Sequence, residues 1–344
     1  MKKTVFSVMA VLITVFLFFG VNVSAKEVKN ICVYGDSIPA GYGLASPSEN
    51  FVNQLAEEYS LKEGESLFNY AVSGATSGEI LGQIKNTSNE ILQNADTVII
   101  SAGGNDIMNE YGIKLVESAQ KYGLEIGSAG IVFDYQNPVN MIGQMLSMLI
   151  NSDKADIILN IFDDCMTESA KADYQKAVDV FEKNIQEMTE YIKNTGSQAD
   201  IYIFALYDPI SVFSMDGDFF KSLSGSIESM HEYVLEFAGS NEKLHAVDVY
   251  SHFSGHYGEW TNIYKFDIHP NKAGHEQLFE ITDKAVKADE VKESFSESST
   301  DIYEMSYKIE KPENNDYIVW LILGGIAGIA VIGAVIIAIA KNTE

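Results

Sequence analysis

The feature of this sequence that most constrains its fold is a repeated alternation of short apolar runs with amphipathic stretches of helical period. A turn rich in Gly, Ser, Asp or Asn follows most of the apolar runs, and the next apolar residues recur every three or four positions. The predicted strands are 31–34, 66–72, 97–100, 201–206 and 245–250. Strands that alternate with helices through short connections indicate right-handed crossovers and a parallel α/β sheet.

The longest connection in this pattern runs from residue 107 to residue 199, which is long for a single crossover. A helix is predicted over 174–194, where one apolar stripe contains Val178, Phe181, Ile185, Met188 and Ile192. We interpret residues 107–170 as a helical insertion that lies over the functional site.

Both ends of the chain carry segments that we exclude from the folded domain. Residues 1–25 contain a Met-Lys-Lys start, a mostly apolar run and a small-residue cleavage site, which together indicate a secretory signal peptide. Residues 317–340 contain no charged side chain and are long enough for a transmembrane helix. We expect residues 288–316, rich in Glu, Ser, Asp and Asn, to be a flexible stalk, and residues 341–344 to be a short cytoplasmic tail.

The remaining residues, 26–287, are predicted to form one domain. A hydrophobic fraction of 46% is sufficient for a core, and a net charge of −26 would repel a phosphate backbone, so nucleic acid is excluded as a partner. Cys32 falls within the first predicted strand, and we expect it to be a small buried hydrophobe. The sequence leaves open whether Cys32 pairs with Cys165, and it does not determine the oligomeric state.

Polar or glycine-rich turns follow the first three predicted strands. Gly-Asp-Ser at 35–37 follows the first strand, with Pro39 where a helix would begin, and Gly74 and Asn105 follow the second and third. Ligands of parallel sheets bind at the carboxyl ends of strands, so we expect one shared site there. A serine at such a turn is exposed beside free backbone N–H groups, although Gly-Asp-Ser taken alone also suits a simple tight turn.

Four blocks together resemble the sequence blocks of the SGNH (GDSL-like) hydrolases, in the family order and over about residues 31–285. They are Gly-Asp-Ser at 35–37, Gly74, Gly-Gly-Asn-Asp at 103–106 and Asp-Ile-His-Pro-Asn at 267–271. The resemblance implies a flavodoxin-like, three-layer α/β/α fold, serine ester hydrolysis and no cofactor.

The resemblance also implies a role for each matching residue. Ser37 would attack an ester carbonyl, and His269 would take the proton of Ser37 and later give it to the leaving alcohol. The N–H groups of Ser37 and Gly74 and the side-chain amide of Asn105 would bind the oxyanion.

The acidic residues of these blocks are less simply assigned. The family usually has Asp-x-x-His, whereas this chain has Asp267 only two positions before His269. Either Asp267 orients the imidazole in spite of this spacing, or a backbone carbonyl does so and leaves a Ser-His dyad. We expect Asp36 and Asp106 to brace their loops by hydrogen bonding.

An aromatic loop over 251–266 supplies weaker candidates. Tyr257, Trp260 and Tyr264 are candidate substrate-binding residues because Tyr and Trp rings stack on sugar faces. The histidines outside the motif carry no predicted chemistry: His231 and His245 are expected to be structural or solvated, His275 to contact backbone, and His252 and His256 lack the third ligand that a metal site requires.

These features predict a serine esterase that acts on an ester substrate outside the cytoplasm, anchored by its C-terminal helix at the surface of a Gram-positive bacterium. Two substrate classes stay open, acetylated carbohydrate and lipid or lysophospholipid esters, because this fold hosts several chemistries. A non-catalytic surface-binding protein on the same scaffold is a further alternative, supported by the altered spacing of Asp267 and His269. A purely structural domain is the least favoured, since the motif residues fall at or just beyond strand ends.

Overall fold

A computed structural model describes residues 28–123, 155–209, 211, 218–265 and 267–295. The predicted signal peptide, transmembrane helix and cytoplasmic tail lie outside these ranges, as do residues 124–154 of the predicted insertion and residues 296–316 of the predicted stalk. Within the described ranges, none of the helices combines the length and the hydrophobicity that a membrane span requires.

The centre of the described domain is a parallel sheet, as predicted. Its five strands are β1 (Ile31–Gly35), β2 (Leu67–Asn69), β3 (Thr97–Ser101), β4 (Asp200–Ala205) and β5 (Leu244–Asp248), in the spatial order β2-β1-β3-β4-β5. Ile31 of β1 pairs with Leu67 on one side and with Thr97 on the other. The chain leaves β1 in one direction to form β2 and returns to form β3 on its other side, which creates a crevice at the carboxyl ends of β1 and β3.

The helices occupy the connections between the strands. In chain order they are α1 (Ser37–Ala40), α2 (Phe51–Glu58), α3 (Ser77–Asn86), α4 (Asn89–Asn94), α5 (Gly104–Lys121), α6 (Ala155–Asp164), α7 (Glu168–Asn194), α8 (Asp218–Gly239), α9 (Val249–Phe253), α10 (Tyr257–Trp260) and α11 (Lys272–Phe295). Short 3₁₀ turns lie at Pro47–Glu49 and Ile263–Lys265.

Helices cover both faces of the sheet because successive strand side chains point to opposite sides. Cys32 and Val98 face the core formed with α3, α5, α7 and α8. Ile31, Val33 and Phe204 face the second core, formed with α2, α9 and α11. The result is the three-layer α/β/α arrangement that the resemblance implies.

Three boundaries differ from the sequence-based expectation. Strand β5 ends at Asp248 because that carboxylate accepts the N–H of Ser251 at 3.0 Å and caps α9. Residues 107–121 of the predicted insertion belong to α5, which packs against the sheet through buried residues such as Leu115, so this part is a crossover helix of the fold itself. Helix α11 continues to Phe295, past the predicted domain end at residue 287, since residues 288–295 include the strong helix formers Ala, Glu and Lys.

Candidate active site

Ser37 is the first residue of α1 and lies directly beyond the carboxyl end of β1. The carboxylate of Asp36 caps this helix by accepting the N–H of Ile38 at 3.0 Å, and burial raises the pKa of Asp36 to about 6. The turn is tightly packed, because a Cβ at Gly35 would lie 2.6 Å from Pro39 Cγ. The sequence therefore needs glycine, a capping acid and a helix-compatible proline to hold Ser37 at this edge.

The side chains of Ser37, His269 and Asp267 form a continuous hydrogen-bonded chain. His269 Nε2 lies 2.9 Å from Ser37 Oγ, and His269 Nδ1 lies 2.5 Å from Asp267 Oδ1. The same oxygen of Asp267 accepts the backbone N–H of His269 at 2.9 Å. Burial would raise the pKa of Asp267, but these hydrogen bonds from His269 outweigh it and leave the pKa below its usual value. The shorter Asp-x-His spacing thus still brings the carboxylate to the imidazole.

The loop that carries His269 is held by hydrogen bonds on both sides. The hydroxyl of Tyr207 donates to the carbonyl of Ile268 at 2.6 Å, and the N–H of Asn262 donates to the carbonyl of His269 at 3.0 Å. The side chain of Asn271 donates to the carbonyls of Glu259 and Thr261, at 2.8 and 3.1 Å. His269 is only 3% exposed, so its imidazole is positioned by fixed neighbours and not by solvent.

Two of the three predicted oxyanion donors lie at one cavity. Asn105 is the second residue of α5, is 8% exposed, and lines the same cavity as Ser37. Its side-chain amide donates to the carbonyl of Ala75 at 3.0 Å, which connects it to the turn that contains Gly74. Gly74 adopts φ of +84°, a conformation that favours glycine, but it is not among the residues that line the cavity.

The cavity opens beside Ser37, where β1, β3 and β4 end. Its polar lining consists of Asp36, Ser37, Asn105 and His269, whereas most of its wall is apolar. The apolar lining consists of Ile38, Ile107, Met108, Leu206, Tyr207, Pro209, Ile227 and Ile268. Such a wall accommodates the hydrocarbon part of a ligand and leaves the carbonyl to the polar end.

The aromatic candidates lie elsewhere, since none of the three lines this cavity. Tyr257 is 5% exposed and packs in the second core near Tyr207, with ring centroids 6.3 Å apart. A ring this buried is unavailable to a polysaccharide, so the prediction of substrate contact by Tyr257 is corrected to a core role. The ring of Trp260 stacks on that of His256, with ring centroids 4.2 Å apart. The side chain of Tyr264 is 60% exposed.

Tyr42 is a neighbour of the site that sequence reasoning did not identify. Its ring centroid lies 4.4 Å from that of His269. The two residues come from opposite ends of the domain sequence, and neither periodicity nor motif spacing connects them. The Gly-Tyr-Gly sequence at 41–43 is a turn signal, but it does not indicate a contact with His269.

The other histidines and the cysteines occupy packed surroundings. His275 accepts the N–H of Phe51 at 3.3 Å, which confirms its predicted backbone contact, and His231 lies 3.0 Å from Asp248. In the part of the chain that the structure describes, no three metal-ligating side chains form a cluster. Cys32 and Cys165 are both buried and unpaired, so Cys32 is the buried residue that the sequence predicts.

Solved structures with similarity to this chain include three ester hydrolases. A lipase from a goat rumen metagenome is 19% identical, with 75% of this chain and 97% of that chain covered and a TM-score of 0.48. A catalytic mutant of an acetylxylan esterase from Geobacillus stearothermophilus is 14% identical, with 75% and 94% covered and a TM-score of 0.43. A lipase/acylhydrolase from Enterococcus faecalis is 16% identical, with 76% and 96% covered and a TM-score of 0.40.

No curated protein matches this chain. The protein-family comparison gives a match over residues 33–277, to the GDSL-like Lipase/Acylhydrolase family. This range includes most of the described domain and all four sequence blocks that form or border the site. The chain therefore belongs to the GDSL-like lipase/acylhydrolase family.

Proposed function

We propose that this protein is a serine ester hydrolase in which Ser37 is the nucleophile, His269 the general base and acid, and Asp267 the residue that orients His269. The observation that carries the proposal is the hydrogen-bonded chain from Asp267 Oδ1 through His269 to Ser37 Oγ, with distances of 2.5 and 2.9 Å. This is the geometry that nucleophilic catalysis by serine requires.

The reaction follows from the positions of these groups. Ser37 Oγ attacks the ester carbonyl while its proton moves to His269 Nε2, and the carboxylate of Asp267 stabilises the imidazolium that forms. The side-chain amide of Asn105 and the backbone N–H of Ser37, both at the cavity, bind the oxyanion, and the N–H of Gly74 stays a predicted third donor. His269 then protonates the leaving alcohol, and water repeats the sequence to release the acid and restore Ser37.

The apolar wall of the cavity favours ester substrates whose acyl chain is longer than acetyl. Ile107, Met108 and Ile227 contribute hydrocarbon surface, which would gain free energy by covering an aliphatic chain. Carbohydrate deacetylation is the second candidate, supported by the exposed ring of Tyr264. Rates on nitrophenyl acetate, butyrate and octanoate separate the two, since a steep preference for acetate favours the deacetylase.

The decisive experiment compares the parent with Ser37→Ala, using the full chain in detergent, a fluorophosphonate probe and a nitrophenyl ester. Ser118→Ala is the matched control, because Ser118 is also buried and hydrogen-bonded, to Asp164 at 3.2 Å, but lies about 20 Å along α5 from Asn105. Labelling and turnover in the parent and in Ser118→Ala, both lost in Ser37→Ala, support the proposal. A folded parent that neither reacts with the probe nor hydrolyses the ester would contradict the proposal and favour a non-catalytic binding protein.

We further propose that the domain is exported and stays anchored to the membrane. The support comes from the sequence alone, in the apolar segments within 1–25 and 317–340. The proposal predicts that protease added to intact cells removes the domain, and that the mature chain lacks residues 1–25. A chain that retains its N-terminus and resists protease until the cells are lysed would be incompatible with this location.

A further inference from the structure

Tyr42 lies in a short turn that contacts both ends of the hydrogen-bonded chain. Helix α1 ends at Ala40 and is capped by Gly41, which adopts φ of +76°, and the N–H of Tyr42 donates to the carbonyl of Ser37 at 2.9 Å. On the other side of Tyr42, a Cβ at Gly43 would lie 3.9 Å from Asp267 Oδ2. The backbone of Tyr42 is therefore held to Ser37 by a hydrogen bond, and Gly43 lies near the carboxylate of Asp267.

The ring of Tyr42 covers the imidazole of His269. The ring centroids are 4.4 Å apart, and the planes make an angle of 44°. Both imidazole nitrogens are already engaged in hydrogen bonds, Nε2 with Ser37 and Nδ1 with Asp267. This separation is at the short end of the range for aromatic pairs, so the tilted phenol ring packs closely against the imidazole. Tyr42 thus restrains the rotation that would break either hydrogen bond.

Charged and titratable groups surround the same imidazole. A positive charge on this imidazole lowers the pKa values of the Asp267 and Asp36 carboxylates, and it also lowers the pKa of the buried His275. An aromatic face adds a further attraction for a cation, and the low exposure of His269 keeps water from screening it.

We propose that Tyr42 is a positioning residue for His269, and that its π face stabilises the imidazolium formed when Ser37 attacks the ester. This inference rests on the proposed serine mechanism. The cation forms as the transition state is approached, so the ring interaction strengthens there and acts on kcat more than on KM. A ring that only filled space would not produce this difference.

The test compares Tyr42→Phe, Tyr42→Leu and Tyr42→pentafluorophenylalanine in the full chain. The last variant keeps the shape of the ring but reverses its quadrupole. Tyr122→Leu is the matched control, because Tyr122 is half-buried and also contacts a cation, Lys121 at 5.2 Å, but lies about 25 Å along α5 from Asn105.

We expect the control Tyr122→Leu to keep kcat within about twofold of the parent, whereas Tyr42→Leu and the fluorinated variant lose roughly 3- to 30-fold with little change in KM. Tyr42→Phe, which retains the ring, should lose less than either of these two variants. In these two variants the acid limb of the kcat/KM profile should shift to lower pH by roughly half a unit, because the imidazolium loses a stabilising contact.

Three outcomes would overturn the proposal: an unchanged profile in the fluorinated variant, an effect confined to KM, or equal losses in Tyr42→Phe and Tyr42→Leu. The pKa of His269, measured by NMR in each variant, makes the test independent of turnover. If the parent shows no turnover that depends on Ser37, the serine mechanism fails. The His269 titration still decides whether Tyr42 acts on the imidazole, since a lower pKa in the fluorinated variant supports that contact and an unchanged one refutes it.

Discussion

The carboxylate of Asp106 accepts two hydrogen bonds from Ser77, one from its backbone N–H at 2.8 Å and one from its hydroxyl at 2.5 Å. Ser77 begins α3 just after the turn of Gly74, and Asp106 follows Asn105 at the start of α5. The contact therefore joins the two segments that supply the proposed oxyanion donors. Burial raises the pKa of Asp106, and the hydrogen bonds from Ser77 act against that rise.

We expect Ser77→Ala to weaken this connection. The substitution removes one donor from Asp106 and the acceptor of the Asn184 amide, which bonds to Ser77 Oγ at 2.8 Å. The free energy of unfolding, measured in urea, should fall by about 1–3 kcal/mol, and kcat should fall with it as Asn105 loses its support. Ser229→Ala is the control, because that exposed hydroxyl donates only to a carbonyl within its own helix. Equal stability of the two variants would argue against the connection.

Asn105→Ala tests the oxyanion site itself. The substitution removes a side-chain amide that lies at the cavity beside Ser37. We expect kcat to fall by roughly 10²–10³ while KM changes little, because the lost hydrogen bond forms fully only in the transition state. Steady-state kinetics on a nitrophenyl ester measure both constants. A loss below tenfold would mean that backbone N–H groups alone stabilise the oxyanion.

Asp267→Asn separates a triad from a Ser-His dyad. In the parent, the carboxylate accepts from both Nδ1 and the backbone N–H of His269, and this fixes the tautomer with its free electron pair on Nε2. An amide at this position offers an N–H in place of one oxygen and does not stabilise the imidazolium, so we expect kcat to fall by up to about 10⁴. Activity within threefold of the parent would assign the orienting role to a backbone group.

The sequence predicted the frame of the site well because the frame depends on local patterns. Apolar runs marked the strands near their observed positions, and the turns after them placed Ser37 and Asn105 at one edge. The contacts that complete the site could not be read in this way. Asp267 reaches His269 through loop geometry that spacing alone does not encode, and Tyr42 meets His269 only through tertiary packing.

The aromatic loop shows a second limit of sequence reasoning. Tyr257 and Tyr264 lie seven positions apart in a segment that looked uniformly suited to stacking on sugars. Packing separates them, since Tyr257 is buried with Tyr207 and Phe253 whereas Tyr264 is exposed. Residue type alone does not distinguish these two environments.

The two cysteines should behave as inert, unpaired thiols. Both side chains are fully buried, and burial raises the pKa of each thiol to about 12, so the reactive thiolate is scarce at neutral pH. We expect no alkylation by iodoacetamide in the native protein and alkylation of both Cys32 and Cys165 after unfolding without reductant, as counted by mass spectrometry. Fewer than two modified residues in the unfolded chain would reveal a disulfide.

His275 should make the domain less stable in mild acid. It is fully buried in α11, its Nε2 has no hydrogen-bond partner among the described residues, and burial lowers its pKa from 6.5 to about 4. As the pH falls below about 6.5, His275 becomes protonated in the unfolded chain but stays neutral in the folded chain. The free energy of unfolding therefore declines until the pH nears 4, by about 3 kcal/mol in total from this group.

His275→Asn isolates this contribution, because the asparagine oxygen can still accept the N–H of Phe51 but does not titrate. Urea unfolding at pH 4, 5, 6 and 7 gives the pH dependence of stability for the parent and the variant. Carboxylates contribute to the loss in both proteins, so the difference between the two curves belongs to His275. We expect the variant to lose less stability than the parent between pH 7 and pH 4. Parallel curves would show that protonation of the buried imidazole does not destabilise the folded domain.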